Sequence, residues 1–307
     1  MTTTFRPLLH RFSVFVLLWT ILLFVAGALV TSNEAALSVS DWPTSHGKLI
    51  PPLGTLQGGD RYEFSHRVLA GSLGVLLILQ ALWIWLKEER RWLRWFALAA
   101  VGGVVAQAIL GGQVVIRLLH YWLPVLHACF AQIMFAAILG VAVFTSKWWI
   151  DKQPVHEDKG SPTMHSLVIA NAAVTFVQVF LGAAFRHQDM PIWPHMVGSA
   201  IVLGMVIWTA AVLRRRFDQS RELSFGRVLL HSMVGTQILL GLAAYWSRLT
   251  TQDSPQPMPV MVTLTVIHTV FGALVFGSSI LVVLLCYRLV PRRGEVVVAK
   301  EQQASAQ

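Results

Sequence analysis

Apolar residues run along this chain in long unbroken stretches, neither alternating nor confined to one helical face. Eight such stretches stand out, at about 12–31, 66–86, 95–116, 122–145, 164–185, 195–213, 225–247 and 260–287. Each supplies about the 20 residues that an α-helix needs to cross roughly 30 Å of hydrocarbon. A transmembrane β-barrel would instead send every second residue toward lipid, which this pattern does not do. The pattern predicts an all-α polytopic membrane protein with eight transmembrane helices. Residues 32–64, with several Pro and Gly, form the longest connection, and 248–259, with Pro255, Pro257 and Pro259, form a shorter one on the same side. A long loop without periodicity is either a functional cover or a solvated connector. Residues 146–163 and the tail after Pro291 are polar and expected to be mobile.

The stretches repeat in order. The second opens with Ser65-His66-Arg67-Val68-Leu69-Ala70-Gly71 and the sixth with Pro194-His195-Met196-Val197-Gly198. The third carries Gln107 with Leu110-Gly111, and the seventh carries Gln237 with Leu240-Gly241. The fourth has Leu126-His127-Ala128 and the eighth Ile267-His268-Thr269, while the first ends in Gly27-Ala28 and the fifth in Gly182-Ala183. Four consecutive correspondences predict two pseudo-symmetric four-helix bundles. The N-terminal half would occupy 1–150, an inner linker 151–163, the C-terminal half 164–290 and a polar tail 291–307. An even number of helices per half gives both halves the same orientation, about an axis along the membrane normal. The triplet Ala26-Gly27-Ala28 also fits a signal-peptide cleavage site. Its counterpart in the fifth stretch favours a helix that is retained.

Composition agrees: 55% of residues are hydrophobic and 13% charged, against about a quarter charged in soluble domains. A net charge of +9 would otherwise suggest a nucleic-acid partner. Its distribution argues for topology instead. Of the 24 Lys and Arg, only Lys48, Arg61, Arg67, Arg117, Arg186 and Arg248 fall on the side of the long loop. The positive-inside rule therefore places both termini in the cytoplasm and the long loop outside, in a cytoplasmic (inner) membrane. Trp83, Trp85, Trp92, Trp95, Trp148 and Trp149 mark inner helix ends, and Trp122, Trp193 and Trp246 outer ones, as an aromatic belt requires. Cys129 and Cys286 are the only cysteines and lie in predicted helices, so neither a disulfide framework nor a CxxC site is available.

Of eleven histidines, His66, His127, His195 and His268 fall near the outer ends of the even-numbered stretches. Ionisable residues inside spanning helices usually face the bundle interior. Two imidazoles on neighbouring helices can ligate a haem iron from both sides, and the surrounding Leu, Val, Phe and Gly supply apolar walls. Each half could therefore hold one haem on the outer side. The alternative is four helix-end histidines that hydrogen-bond to neighbours. Zinc fits less well, since no third Cys, Asp or Glu recurs beside each pair. Glu63 precedes His66 by one helical turn, whereas Ile192 holds the matching position before His195. Glu63 could stabilise positive charge or accept a proton, or simply pair with Arg67 at i+4. Arg67, Arg117, Arg186 and Arg248 could bind haem propionates or snorkel to lipid headgroups. His46, His120 and His187 lie in or near outer loops, and His10, His156, His165 and His231 on the inner side.

These residues resemble the haem A synthase family, eight-helix membrane enzymes of two four-helix halves that convert haem O to haem A for cytochrome oxidase. The carriers are Gly27-Ala28-Leu29-Val30-Thr31, Trp42-Pro43-x-x-His46-Gly47, Glu63-Phe64-Ser65-His66-Arg67, Gln107 with Leu110-Gly111, His127, Arg186-His187, His195, Gln237 with Leu240, and His268. The resemblance implies that His66 and His127 face the substrate haem, that Glu63 is the catalytic carboxylate, and that His195 and His268 ligate a resident haem b. It also implies oxidation of a porphyrin methyl to a formyl group through successive hydroxylations. Implied partners are haem O, a haem O synthase, cytochrome oxidase assembly proteins, an electron donor and the lipid membrane, with no nucleic acid. Many members carry two cysteines seven apart in the first outer loop. Here those positions are Ser38 and Ser45, which excludes a thiol relay or loop disulfide. Two other classes compete: a non-catalytic bis-histidine di-haem electron carrier, and a transporter or assembly factor with structural histidines.

Overall fold

A main chain in hydrocarbon must satisfy its own N–H and C=O groups, and a helix does so within one segment. The computed structural model describes residues 4–120 and 122–291. Its helices are α1 (Pro7–Ser32), α2 (Gly59–Lys87), α3 (Arg91–Ile116), α4 (Leu123–Phe144), α5 (Lys147–Ile150), α6 (Met164–Arg186), α7 (Trp193–Phe217), α8 (Arg221–Thr250) and α9 (Pro259–Leu289). All but the short α5 are long and apolar enough to cross a membrane, so the chain is a multi-pass membrane protein. Pro7, Pro124, Pro194 and Pro259 sit in the first turns of α1, α4, α7 and α9, where a missing N–H costs nothing. Thr163 and Ser220 cap α6 and α8, accepting from the N–H of Ser166 at 3.2 Å and of Leu223 at 3.4 Å.

Each predicted stretch coincides with one helix; α4 falls one residue short of its stretch at each end, and the others run past the apolar limits at one or both ends. The largest extension is at the start of α2, which begins at Gly59 and takes in polar Asp60 and Arg61. Glu63 and His66 therefore both lie within regular helix, one turn apart on one face. Helix α5 has no counterpart among the apolar stretches.

Packing repeats along the chain. Helix α1 lies on α2 and α4, with α3 between α2 and α4; α6 lies on α7 and α9, with α8 between α7 and α9. The two sets meet where α4 packs on α6 and α9, and α9 packs on α1. Phe135 of α4 enters a notch at Gly277 of α9, where a Cβ would lie 2.7 Å from its ring, and meets Phe24 of α1 edge to face at 5.4 Å. The tightest cores lie away from the long loop. Leu9, Ile84, Leu93 and Val141 form one, and Met164, Leu213, Phe217, Leu223, Leu230 and Leu289 another.

The linker expected to be mobile is fastened instead. Asp158 accepts from the N–H of Met164 at 2.5 Å and of Gly160 at 3.0 Å. Arg216 of α7 donates to Asp158 at 3.1 Å and to the Pro162 carbonyl at 2.8 Å. Charge-assisted bonds of this kind hold a polar segment as firmly as apolar packing would, which a hydropathy pattern does not register. The tail lies outside the described residues beyond residue 291.

At the long-loop end the two helix sets are joined by Arg186 of α6. Its guanidinium donates to the Ala28 carbonyl and the Ser32 hydroxyl of α1, each at 2.9 Å, and to the Thr269 hydroxyl of α9. Arg186→Ala is expected to cost about 1.5–3 kcal/mol, the range for hydrogen bonds to a charged group. Thermal unfolding in detergent would show this as a lower midpoint; an unchanged midpoint would mean that the junction contributes nothing.

Candidate functional site

In an α-helix the carbonyl of residue i points toward residue i+4, whose side chain normally shields it from a neighbouring helix. A glycine at i+4 opens that position, and the protein uses this opening four times. A Cβ at Gly27 of α1 would lie 3.1 Å from Cε1 of His66 on α2. At Gly111 of α3 the distance to His127 of α4 would be 2.8 Å. At Gly182 of α6 and Gly241 of α8 it would be 2.9 Å, to His195 of α7 and His268 of α9. Each ring also approaches the main-chain carbonyl of the residue four before its glycine: Leu23, Gln107, Gln178 and Gln237 respectively.

Three of these contacts are closed by an amide. Gln107 Nε2 donates to the His127 carbonyl at 2.9 Å, Gln178 Nε2 to that of His195 at 2.9 Å, and Gln237 Nε2 to that of His268 at 3.1 Å. The same amides lie 3.4 Å from His127 Nε2, 3.0 Å from His195 Nδ1 and 3.4 Å from His268 Nε2. Sequence reasoning singled out Gln107 and Gln237 but missed Gln178. The Gln-x-x-x-Gly spacing shared by 107/111, 178/182 and 237/241 was the signal that could have found it.

The histidines come together in the expected pairs. His195 and His268 stand perpendicular, with ring centroids 6.3 Å apart. His66 lies close enough to His127 to act on it electrostatically, and His187, just past α6, does the same from the other helix set. Burial and the adjacent Arg186 push the His187 imidazole down to about 4, so this ring is neutral at pH 7. Nδ1 of His66, His127 and His268 is buried, and its approach to the facing carbonyl falls short of a full hydrogen bond. Buried polar atoms left unpaired are costly, and imidazoles oriented by main-chain carbonyls are what a metal ligand requires. The donor set therefore fits a haem iron between each pair.

Among the described residues, only the first pair carries a carboxylate one helical turn before a histidine. Glu63 is buried; Oε1 accepts from Arg67 Nη2 at 2.5 Å and Oε2 from the Val39 N–H at 2.9 Å. The i+4 ion pair is thus present, and it serves to fasten the loop. Arg67 also donates to the carbonyls of Val39 at 3.0 Å, Asp41 at 2.7 Å and Thr44 at 2.6 Å, and to the Ser45 hydroxyl at 3.2 Å. Trp42 packs on Gly112 of α3, next to the glycine that seats His127; a Cβ there would lie 2.5 Å from its indole ring. Segment 39–45 therefore runs from the α2 end beside His66 to the α3 end beside His127. Ser38 packs against Gly59, and Ser45 exchanges main-chain bonds with Lys48. At the second pair Ile192 is the N-cap of α7, and the connection from α6 is short.

Of the four arginines that could meet haem carboxylates, Arg67 and Arg186 are engaged by the protein. Arg117 bonds Gln113 on its own helix at 2.9 Å, and Arg248 lies over the Phe185 ring at 5.4 Å. His46 pairs with Asp60 at 3.1 Å on the exposed face of the loop. His10 beside Thr145, His231 on the Arg227 carbonyl, His165 against Tyr287 and His156 against Phe217 lie toward the other end, apart from both pairs.

Asp41 holds the loop turn. It accepts from the Thr44 hydroxyl at 2.5 Å and from the N–H groups of His46 at 2.8 Å and Gly47 at 2.9 Å, where the backbone turns left-handed with φ of +54° and +73°. The Thr44 bond above all, then that from Gly47, lowers its carboxyl from 3.8 to about 2. A lowered carboxyl stabilises the fold fully above its unfolded value, and that stabilisation is lost as pH falls through the folded one. The turn should therefore loosen between pH near 4 and pH near 2, read as faster proteolysis within 39–47. Asp41→Asn should show that faster cleavage already at pH 7; equal rates for the two proteins at pH 7 would contradict it.

Comparison with known proteins adds the family. Residues 60–299 match the family model COX15-CtaA, described as cytochrome oxidase assembly protein. The heme A synthase of Lysinibacillus sphaericus (strain C3-41) is 25% identical, the alignment covering 92% of this chain and 94% of that protein. The heme A synthase of Bacillus licheniformis is 27% identical over 73% of this chain and 82% of its own length, and that of Exiguobacterium sp. is 27% identical over 75% and 83%.

Proposed function

Because the chain belongs to the COX15-CtaA family of cytochrome oxidase assembly proteins, we propose that it is a haem A synthase, an oxidoreductase that converts haem O to haem A. The observation that carries the assignment of the reaction site is the difference between two otherwise similar histidine pairs. His66 and His127 bind the iron of the substrate haem O, with the reacting methyl group on the side of Glu63. His195 and His268 hold a resident haem b, which when bound supplies one-electron transfer. The pairing of α1–α4 and α6–α9 in the same order supports two related four-helix halves, 1–150 and 164–290, joined by 151–163 and followed by the tail 291–307.

The chain's own residues do three things at the first pair. The carbonyls of Leu23 and Gln107 orient the two imidazoles. Segment 39–45, held by Arg67 and by Trp42 on Gly112, excludes water from the reacting edge of the substrate. Excluding water strengthens every electrostatic interaction inside. Glu63, fixed by Arg67 and the Val39 N–H, keeps a negative charge one turn from His66. From there it stabilises positive charge developing on the oxidised carbon or accepts the proton released. The distribution of Lys and Arg supports both termini in the cytoplasm of a cytoplasmic membrane, with both pairs toward its outer face. A haem O synthase then supplies the substrate, and cytochrome oxidase and its assembly proteins receive the product.

Co-expression with an enzyme that makes haem O, followed by pigment extraction, tests the reading. Haem A is expected from the native protein. Glu63→Gln keeps the loop bond from Val39 and is expected to lower haem A at least a hundredfold, the lower bound for loss of a positioned acid–base group. Intact, haem-loaded protein that yields no haem A would instead support the di-haem carrier, for which Glu63→Gln has no consequence.

A further inference from the structure

Three of the four histidine–glycine contacts are locked by a glutamine, and the fourth is not. At His127, His195 and His268 the glutamine amide holds the main-chain carbonyl of the histidine itself. The ring, its own helix and the facing helix then move as one unit. At His66 the equivalent position on α1 is Leu23, whose side chain packs with Val16, Leu73, Leu77 and Ile138 and offers no donor. The ring keeps its seat on Gly27 and its approach to the Leu23 carbonyl, but among the described residues no side chain of α1 reaches the His66 carbonyl; the bonds from α1 to α2 come further along, from Trp19 Nε1 to the Leu69 carbonyl at 3.3 Å and the Ser72 hydroxyl at 3.1 Å.

This difference divides the two pairs functionally. Both histidines of the second pair are locked, as suits a haem that stays. In the first pair one histidine is locked and one is not, as suits a molecule that must enter and leave. We propose that Leu23 makes His66 the yielding ligand: haem O is captured and haem A released by making and breaking the bond to His66, while His127 stays fixed by Gln107. This rests on the reading of His66 and His127 as the substrate-haem pair. Leu23 touches no reacting atom on this account; it is a positioning residue, acting by withholding an amide.

Groups that hydrogen-bond to and orient a metal-bound histidine typically change metal affinity 10–100-fold. The experiment uses full-length protein in detergent, loaded with haem O and chased with excess apomyoglobin, with haem loss followed by absorbance. Native protein is expected to lose haem in two phases, the faster from the first pair. Leu23→Gln, which supplies the missing lock, should slow the faster phase about tenfold, while Leu23→Met, of similar length without an amide, should leave it unchanged. In the reverse exchange Gln237→Leu should speed the slower phase about tenfold, and this arm stands even where Leu23→Gln does not fold. Equal rates for Leu23→Gln and Leu23→Met, or a slower phase indifferent to Gln237→Leu, would overturn the proposal. Native protein that binds no haem would overturn the functional reading itself, whereas two bound haems whose release ignores these exchanges would overturn only the inference drawn from Leu23.

Discussion

The structure depends on an imidazole ring seated on a helical residue that has no Cβ. In hydrocarbon the helices cannot give up their own hydrogen bonds, so a buried histidine has few polar groups to meet. Glycine exposes one of them, the carbonyl four residues earlier, and lets the neighbouring helix approach closely enough to use it. A glycine inside a helix costs about 1 kcal/mol relative to alanine in water, and four such positions are kept here. Large apolar cores lie at the opposite ends of the same helices, while smaller clusters around Ala28 and Val262 and around Val125 and Ala184 sit at the loop ends beside the rings.

On this shared element the two pairs diverge through their surroundings. α2 continues outward past His66 far enough to carry Glu63, and Arg67 uses that carboxylate and four loop oxygens to draw segment 39–45 down. α7 starts just ahead of His195, with Ile192 in place of the carboxylate and Met196 in place of the arginine, so no clamp forms. Arg186 then joins the sites to one another: it touches Ala28, next to the seat of His66, and Thr269, next to His268. Ser45 contributes to the same arginine clamp, so loop closure in this chain rests on polar bonds rather than on a cross-link.

Much of this was legible in the sequence. Eight apolar stretches gave eight long helices, because length and hydropathy are what a membrane selects. The order of His, Gln and Gly in successive stretches announced equivalent elements. What the pattern did not carry was polar. The first turns of α2 are hydrophilic, so the apolar count started late; α5 and the fastened linker are held by capping and charge-assisted bonds. A small residue reveals its purpose only once the ring that occupies its space is known, so the seats at Gly27, Gly111, Gly182 and Gly241 emerge only from the structure. The same holds for Gln178 and Leu23, whose meaning lies in the histidine opposite, on another helix.

The central claim is a division of labour between the two pairs, and the most direct test is which histidines hold haem b. Purified His66→Ala and His268→Ala proteins, expressed without a source of haem O, would be compared by pyridine haemochrome. The account predicts stoichiometric haem b in the native protein and in His66→Ala, and its loss in His268→Ala. Equal loss in the two variants, or loss only in His66→Ala, would contradict it.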